Sequence, residues 1–404
     1  MENVSILDQI IDNKKAEEVA KLDAVEIIND LFSELSKRER DVVIRRYGLH
    51  GKSKETLENI GGVHSLTRER IRQIESASVK KLQQLKNLDS YISTLKKVIY
   101  QLLEEHGGLM EKEYLLETLT DFSIDGFKVE SENKLIHKNY LNFLITKLLH
   151  NEFEEYNNSK HFKNSYKLKF KELGHLQELI EELLIYIKDR QAYYKTEEII
   201  KRIFGLKSYS KHKEKIKING SLDIFWVLKN KFFNENAQII NENKTLYSLL
   251  KSAKKIEQNK FGHWGMHNSR EIKPKTVNDK IYLIFKNTKK PMHFIKIAER
   301  INEIGFDSKT ANPATVHNEL ILDNKYVLVG RGLYGLKEWG YKNGTVIDVV
   351  EEIFNESEED ALDREEIIKR VLEKRMVKKA TIILALMDKD KFTRVNGKYS
   401  LIKS

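Results

Sequence analysis

Three helix-opening signals crowded into residues 36–86 constrain this chain more than any other feature. Ser36 begins the run SKRE, in which the Ser36 hydroxyl can accept from the Glu39 amide while the Glu39 carboxylate reaches back to Ser36. That reciprocal capping box opens a helix. Val42, Val43 and Tyr47 supply its apolar positions until Gly48 ends it. A second helix is expected to start near Ser53, to bury Leu57 and Ile60, and to stop at Gly61 and Gly62, where glycine can take the positive φ of a tight turn. Thr67 then caps a third helix, TRERIRQIESASVKKLQQL, with Ile71, Ile74 and Leu82 facing inward. Short helix, turn and long helix make a helix-turn-helix.

Charge is concentrated on the same segment. Residues 1–35 hold 3 Lys and Arg against 9 Asp and Glu, a net of −6, whereas residues 36–86 hold 13 against 6, a net of +7 in a chain whose total is +10. Such a segment attracts a polyanion through counterion release, although a charge cluster alone fits a solvated face equally well. The third helix narrows the choice. At 3.6 residues per turn, Ile71 and Ile74 fall together, and Arg68, Glu69, Arg72 and Gln73 spread over an arc about 140° wide on the opposite side. These are base-reading side chains. Arg can hold guanine O6 and N7 in a bidentate pair, Gln can pair with adenine, and Glu can accept from the cytosine amino group, whereas Lys tracks phosphates. The same rotation turns Arg70 toward the inner side, for a flanking phosphate or an internal ion pair. Arg45, Arg46, Thr67, Lys80 and Lys81 complete the candidate phosphate contacts.

The segment from Leu35 to Leu82, with TLENIG beginning at Thr56 and TRERIRQIE at Thr67, resembles region four of the primary bacterial sigma factor family. The resemblance covers about an eighth of the chain and has one visible departure: GGVHSL carries a second Gly, and His64 stands where the family has a bulky apolar residue. It implies that the third helix recognises a promoter −35 element, with Arg68, Glu69 and Gln73 matching the family's base readers and Arg72 a neighbouring contact. It also implies docking to the flap of the RNA polymerase β subunit, through the helices before the turn. A complete sigma factor needs in addition a basic, aromatic-rich helical domain to capture flipped bases. The acidic 35-residue segment before the motif contains Phe32 as its sole aromatic, so promoter opening in the usual way is not expected of this sequence.

At 404 residues the chain is too long for one small core and suggests two to five modules. Its carboxyl end repeats itself. Ala314 and Thr315 lead through a helix to YVLVGRGLYGL from Tyr326, and 66 residues later Ala380 and Thr381 lead to FTRVNGKYSL from Phe392. Each unit reads as three helices and a β-hairpin, a winged-helix order, with Asn396-Gly397 a type I′ hairpin signal and Asn312-Pro313 a helix opening. Weaker copies of the order run from Ile92 to the hairpin-like FEEYNNSKHFKNSYKL, and from Leu176 through KTEEIIKRIF and LDIFWVLKNKFF to AQIINENKTLYSL. The unit from Thr276 to Gly340, carrying PMHFIKIAERIN, ATVHNEL and a wing, resembles the HARE-type winged helix of the RNA polymerase delta subunit, of chromatin-associated proteins and of some restriction systems. That resemblance implies either DNA contact or polymerase association. Arg331 and Lys398 at the wing tips are candidate minor-groove contacts.

The expected architecture is therefore mainly α. An acidic helical segment (1–35) precedes the helix-turn-helix (36–90), two possible winged helices (91–170 and 171–253), a linker (254–275), the HARE-type unit (276–340) and a second carboxyl-terminal winged helix (341–404). The absence of Cys removes disulfide scaffolds, thiolate zinc sites and cysteine nucleophiles. His263 and His267 lie four apart but no acidic partner accompanies them, so no metal or other cofactor is expected. No P-loop, G-x-S-x-G, H-E-x-x-H or Gly-rich dinucleotide turn is present, and catalysis is not expected. Without a long apolar run or a signal peptide the protein is expected in the cytoplasm and away from membranes. The expected partners are double-stranded DNA and RNA polymerase, through the β flap or the core. The alternative is a polymerase-associated interaction protein, delta-like or a sigma antagonist, that does not itself bind DNA. The sequence carries no signal of oligomeric state.

Overall fold

A computed structural model describes residues 24–51, 53–123, 131–190, 192–218, 220–341, 344–357, 359–375, 377–395 and 397–402. Most of the acidic amino-terminal segment, and Asn396 of the carboxyl-terminal hairpin signal, therefore lie outside the described residues. The chain divides into two compact units, Met1–Asn268 and Ser269–Ser404. Among the described residues no helix is long and apolar enough to cross a membrane.

The first unit opens with α1 (Ala24–Ser33), α2 (Lys37–Tyr47), α3 (Leu57–His64) and α4 (Arg68–Gln83). The local chemistry explains most of the boundaries. The Ser36–Glu39 capping box is formed in both directions, and Gly48 closes α2 in the left-handed region at φ 67°. Thr56 and Thr67 cap α3 and α4 by accepting from the amides of Asn59 and Arg70. The glycines behave differently from expectation. α3 starts at Leu57 rather than near Ser53, and it runs through Gly61 and Gly62 to His64; the positive φ falls on Ser65, at 55°. Gly61 is required for space, because a Cβ there would lie 2.6 Å from the Leu66 carbonyl oxygen. The same atom on Gly62 would meet nothing within 4 Å.

Beyond this domain one order of elements recurs four times: helix, short strand, helix, helix, then two strands. The first copy holds α5 (Leu88–Glu105), β1 (Leu109–Glu111), α6 (Lys112–Ser123), α7 (Ser131–Phe143), β2 (Glu154–Tyr156) and β3 (Ser165–Lys167). The second holds α8 (Gly174–Arg190), β4 (Tyr194–Lys195), α9 (Thr196–Phe204), α10 (Lys207–Ile216), β5 (Ile256–Gln258) and β6 (His263–Met266), with α11 (Ala237–Glu242) and α12 (Lys244–Ser252) inserted before its hairpin. In the second unit come α13 (Val277–Thr288), β7 (Met292–His293), α14 (Phe294–Ile304), α15 (Pro313–Leu322), β8 (Tyr326–Gly330) and β9 (Leu333–Leu336). The last copy holds α16 (Val346–Glu356), β10 (Leu362–Asp363), α17 (Arg364–Lys374), α18 (Lys379–Ala385), β11 (Phe392–Val395) and β12 (Lys398–Leu401). All four sheets are antiparallel and share one strand order, with the third strand of each copy in the middle: β1-β3-β2, β4-β6-β5, β7-β9-β8 and β10-β12-β11.

Two expectations for the second copy are corrected. The stretch 254–275, read as a linker, supplies the hairpin β5–β6, and the boundary between the units falls after Asn268. The segment read as that hairpin, AQIINENKTLYSL, is helical in α11 and α12, and LDIFWVLKNKFF contributes only the 3-10 turn Phe225–Leu228. The third helix of the copy is the lysine-rich α10. Asn236 caps α11 through the Ile239 amide, which favours helix over strand there.

One hydrophobic core runs from Ala24 to Trp264 and takes in the amino-terminal helices together with the first two copies. α7 is the element that joins them. Its Phe143 ring packs on Phe32 and Tyr47, Tyr140 contacts His50, and Asn139 donates to the Gly48 carbonyl. Gln83 at the end of α4 donates to the Lys147 carbonyl. A buried ion pair ties the insertion to the first copy: Lys244 donates to Glu105 at 2.6 Å, with side-chain exposures of 2% and 6%. The backbone amides of Ser221 and Leu222 and the side-chain amide of Gln101 also donate to the carboxylate.

Candidate nucleic-acid interface

The small cluster of Val42, Ile60 and Ile71, flanked by Leu57, Leu66 and Ile74, fixes α4 against α2 and α3. Polar contacts lock the same junction. Asp41 accepts from Arg45 at 2.8 Å and contacts His64 Nε2 at 2.9 Å, and Arg45 also reaches Glu55 at 3.0 Å. His64, where the resembled family has an apolar residue, thus contributes a polar tie between α3 and α2. Partial burial opposes ionisation of Asp41, but the hydrogen bonds and charges of Arg45 and His64 hold its carboxyl below the usual range. Tyr47 donates to Glu75 at 2.6 Å, and Arg46 lies 3.6 Å from the same carboxylate. Burial, followed by the Glu75 hydrogen bond, raises the Tyr47 hydroxyl well above its ordinary value.

With its inner face held by Ile71, Ser78 and Leu82, α4 presents Arg68, Glu69, Arg72 and Gln73 to solvent together. Arg70 is exposed beside them rather than turned inward, and donates to Gln73 at 3.1 Å. Arg72 grips Glu69 through two hydrogen bonds of 2.9 and 2.7 Å. That pair, 60% and 59% exposed, lowers the Glu69 carboxyl through the Arg72 hydrogen bond first. Exposed pairs of this kind contribute little to stability, so the side chains are free to exchange each other for base edges.

The phosphate candidates divide. Thr67 is taken up in capping, Arg45 is committed to Asp41 and Glu55, and Arg46 donates to the Glu55 carbonyl besides approaching Glu75. Lys80 is exposed, and exposed Lys81 lies 3.8 Å from Glu39. Arg331 and Lys398 belong to separate sheets of the second unit: Arg331 is exposed between β8 and β9, and Lys398 starts β12, 3.8 Å from Glu359. His263 stands edge-on to Tyr193, and the His267 amide donates to the Lys255 carbonyl. Among the described residues no three His, Asp or Glu side chains gather as a metal site. Sequence reasoning missed Asp41, Glu55 and Glu75 as the buttress of the reading helix; the i,i+4 spacing of Asp41 and Arg45 was the one available sign.

Residues 31–84 match the family "Sigma-70, region 4". This part of the chain is a sigma-70 region 4 domain. Over 67 residues the chain is 49% identical to RNA polymerase sigma factor SigA1 of Synechococcus elongatus, an alignment covering 17% of each protein. It is 38% identical over 87 residues to RNA polymerase sigma factor RpoS of Coxiella burnetii, covering 21% of this chain and 24% of that one. The chain thus spans less than a quarter of the length of these relatives. No solved structure matches it. The region 4 domain begins inside α1, so Leu31 and Phe32, read from sequence as part of a separate acidic segment, belong to the domain and are buried in the shared core.

Proposed function

We propose that the protein is a DNA-binding transcription regulator, or sigma-like factor, that reads a promoter −35-like element in the major groove through α4 and contacts RNA polymerase. The carrying observation is the α4 face: Arg68, Glu69, Arg72 and Gln73 exposed together on a capped, buttressed helix of a sigma-70 region 4 domain. Arg68 and Gln73 suit guanine and adenine edges, Glu69 suits cytosine, and Lys80 and Lys81 suit flanking phosphates. Within these 404 residues the proposed role is recognition, with no strand opening assigned to them. α7 covers Phe32 of α1 and Tyr47 of α2, so polymerase contact through the helices before the turn would use the parts of them that α7 leaves open. The four recurring copies read as winged helices, the third of them HARE-type, which supports association with polymerase or DNA by the second unit.

The test is fluorescence anisotropy with a duplex carrying a −35 element and with a scrambled duplex, each with and without core polymerase. The R68A/E69A/Q73A triple variant should lose the discrimination between duplexes; unchanged discrimination refutes the reading. Binding that occurs only through polymerase supports the second reading, a polymerase-bound regulator or sigma antagonist. That reading draws on the mutual pairing of Glu69 with Arg72 and of Arg70 with Gln73 in the free chain.

A further inference from the structure

A second basic surface lies on α10, far along the sequence from the region 4 domain. Residues 201–217, KRIFGLKSYSKHKEKIK, hold 7 Lys and Arg against the single Glu214, a net of +6 in 17 residues, whereas the region 4 segment needs 51 residues for +7. The fold separates these charges by use. Glu182 of α8 accepts from the amides of Lys207 and Ser208 and from the Ser208 hydroxyl, which pins the start of α10 and occupies its amino terminus. Glu178, one turn earlier on α8, takes Lys211 at 2.9 Å and His212 at 2.8 Å. Tyr209 and Ile216 are buried. Glu178 and Glu182 of α8 are thereby engaged by α10 itself. Lys213 and Lys217, four residues apart and on one side of the helix, stand exposed with no carboxylate partner among the described residues, and exposed Lys215 points to the other side.

We propose that this lysine edge is a second DNA contact, a sequence-independent grip on the phosphate backbone of duplex DNA. α10 follows α9 after only Gly205 and Leu206, so the pair is itself two helices joined by a tight turn, with the second helix presenting the charge. Lysines without an interleaved Arg or Gln suit phosphates and not base edges. Lys213 and Lys217 border a groove of about 1130 Å³ that is also lined by Gln238, Asn241, Asn243 and one carboxylate, Glu242, which accepts from Gln238 at 3.1 Å. Such a polar lining suits a hydrated ligand better than an apolar peptide. Single-stranded RNA would call for stacking platforms, and the one exposed ring at this groove, Phe204, already packs on Tyr209 at 5.1 Å. The grip stands whether or not α4 reads bases. Because α9, α10 and the region 4 helices share one continuous core, both surfaces belong to one body.

The test uses the full chain, a 40-base-pair duplex of random sequence and anisotropy over a salt series. The K213Q/K217Q variant is expected to flatten the slope of log affinity against log salt by about 2, since each phosphate no longer neutralised removes roughly 0.9 from it. The K213R/K217R variant should keep the wild-type slope, and its retention shows that charge and not folding was tested. The same loss should appear in the R68A/E69A/Q73A background, so that failure of base reading by α4 is distinguishable from failure here. An unchanged slope overturns the proposal. So does tighter lysine-dependent binding of a 40-nucleotide single-stranded RNA than of the duplex.

Discussion

Adjacent glycines in α3 should respond to the same substitution with opposite signs. An ideal Cβ on Gly61 sits 2.6 Å from the Leu66 carbonyl oxygen, about 0.8 Å inside the 3.4 Å at which ordinary van der Waals separation begins. The obstacle is backbone, and Leu66 is tied back to Gly61 by its own amide at 2.9 Å, so neither side yields without moving the other. Leu66 immediately precedes Thr67, the cap of α4, and any displacement is passed to the reading helix. Overpacking of this kind costs about 1 to 3 kcal/mol. Gly62 lies in the same helix, exposed, with open space where the methyl would go. There Gly62→Ala should gain roughly 0.5 to 1 kcal/mol from the loss of backbone freedom in the unfolded chain. Urea unfolding followed by circular dichroism measures both, and anisotropy with a −35 duplex measures the consequence for α4. The expected result is a less stable Gly61→Ala with weakened DNA binding, beside a Gly62→Ala at least as stable as the parent. A Gly61→Ala protein matching the parent in both assays would refute the claim that close backbone approach sets the turn.

Gln73→Ala should relax preference at one base position by about 1 to 3 kcal/mol, whereas Lys80→Ala should weaken all duplexes alike and flatten the salt slope; a binding-site selection paired with a salt titration separates the two. Lys244→Met takes the buried partner away from Glu105 and should cost about 3 to 5 kcal/mol in urea unfolding, most of it recovered in Glu105→Gln/Lys244→Met. His106 contacts the Leu102 carbonyl through Nδ1 and the Tyr114 hydroxyl through Nε2, and burial holds its pKa down to about 3. Because the folded value lies below the unfolded 6.5, the stability this group contributes is complete above pH 6.5 and is lost as pH falls toward 3. The loss is about 2 kcal/mol by pH 5. Melting temperatures between pH 5 and 7 should show it, and His106→Asn should flatten that dependence.

The helix-turn-helix was legible because its signals are local: each cap is a side chain bonding an amide three residues away. The glycines of α3 were misread because a helix can also need glycine for close approach, and the turn's left-handed residue proved to be Ser65. The short first strands β1, β4, β7 and β10, two or three residues each, are too brief for an alternation pattern and exist through pairing with distant strands. α10 escaped notice because few apolar residues anchor it while Glu178 and Glu182, more than 20 positions earlier, supply the rest. The apolar run LDIFWVL resembled a helix more than α10 did, yet Leu222 and Ile224 enter the core from an irregular stretch. Side-chain geometry on α4 was half legible: the exposed arc was foreseeable from rotation, the mutual pairing of its members was not.

The family match ends at residue 84, but the packing does not. α7, some 50 residues further on, returns to cover Phe32 and Tyr47. The stretch that can be aligned with other proteins is consequently not a detachable part of this one. Excised at its alignment limits, it would show water the rings that Phe143 now shields, and grafted elsewhere it would require a substitute for that cover. The unit of inheritance and the unit of folding have different edges here, and chimeras with sigma factors should be cut after Asn268 rather than after Gln84.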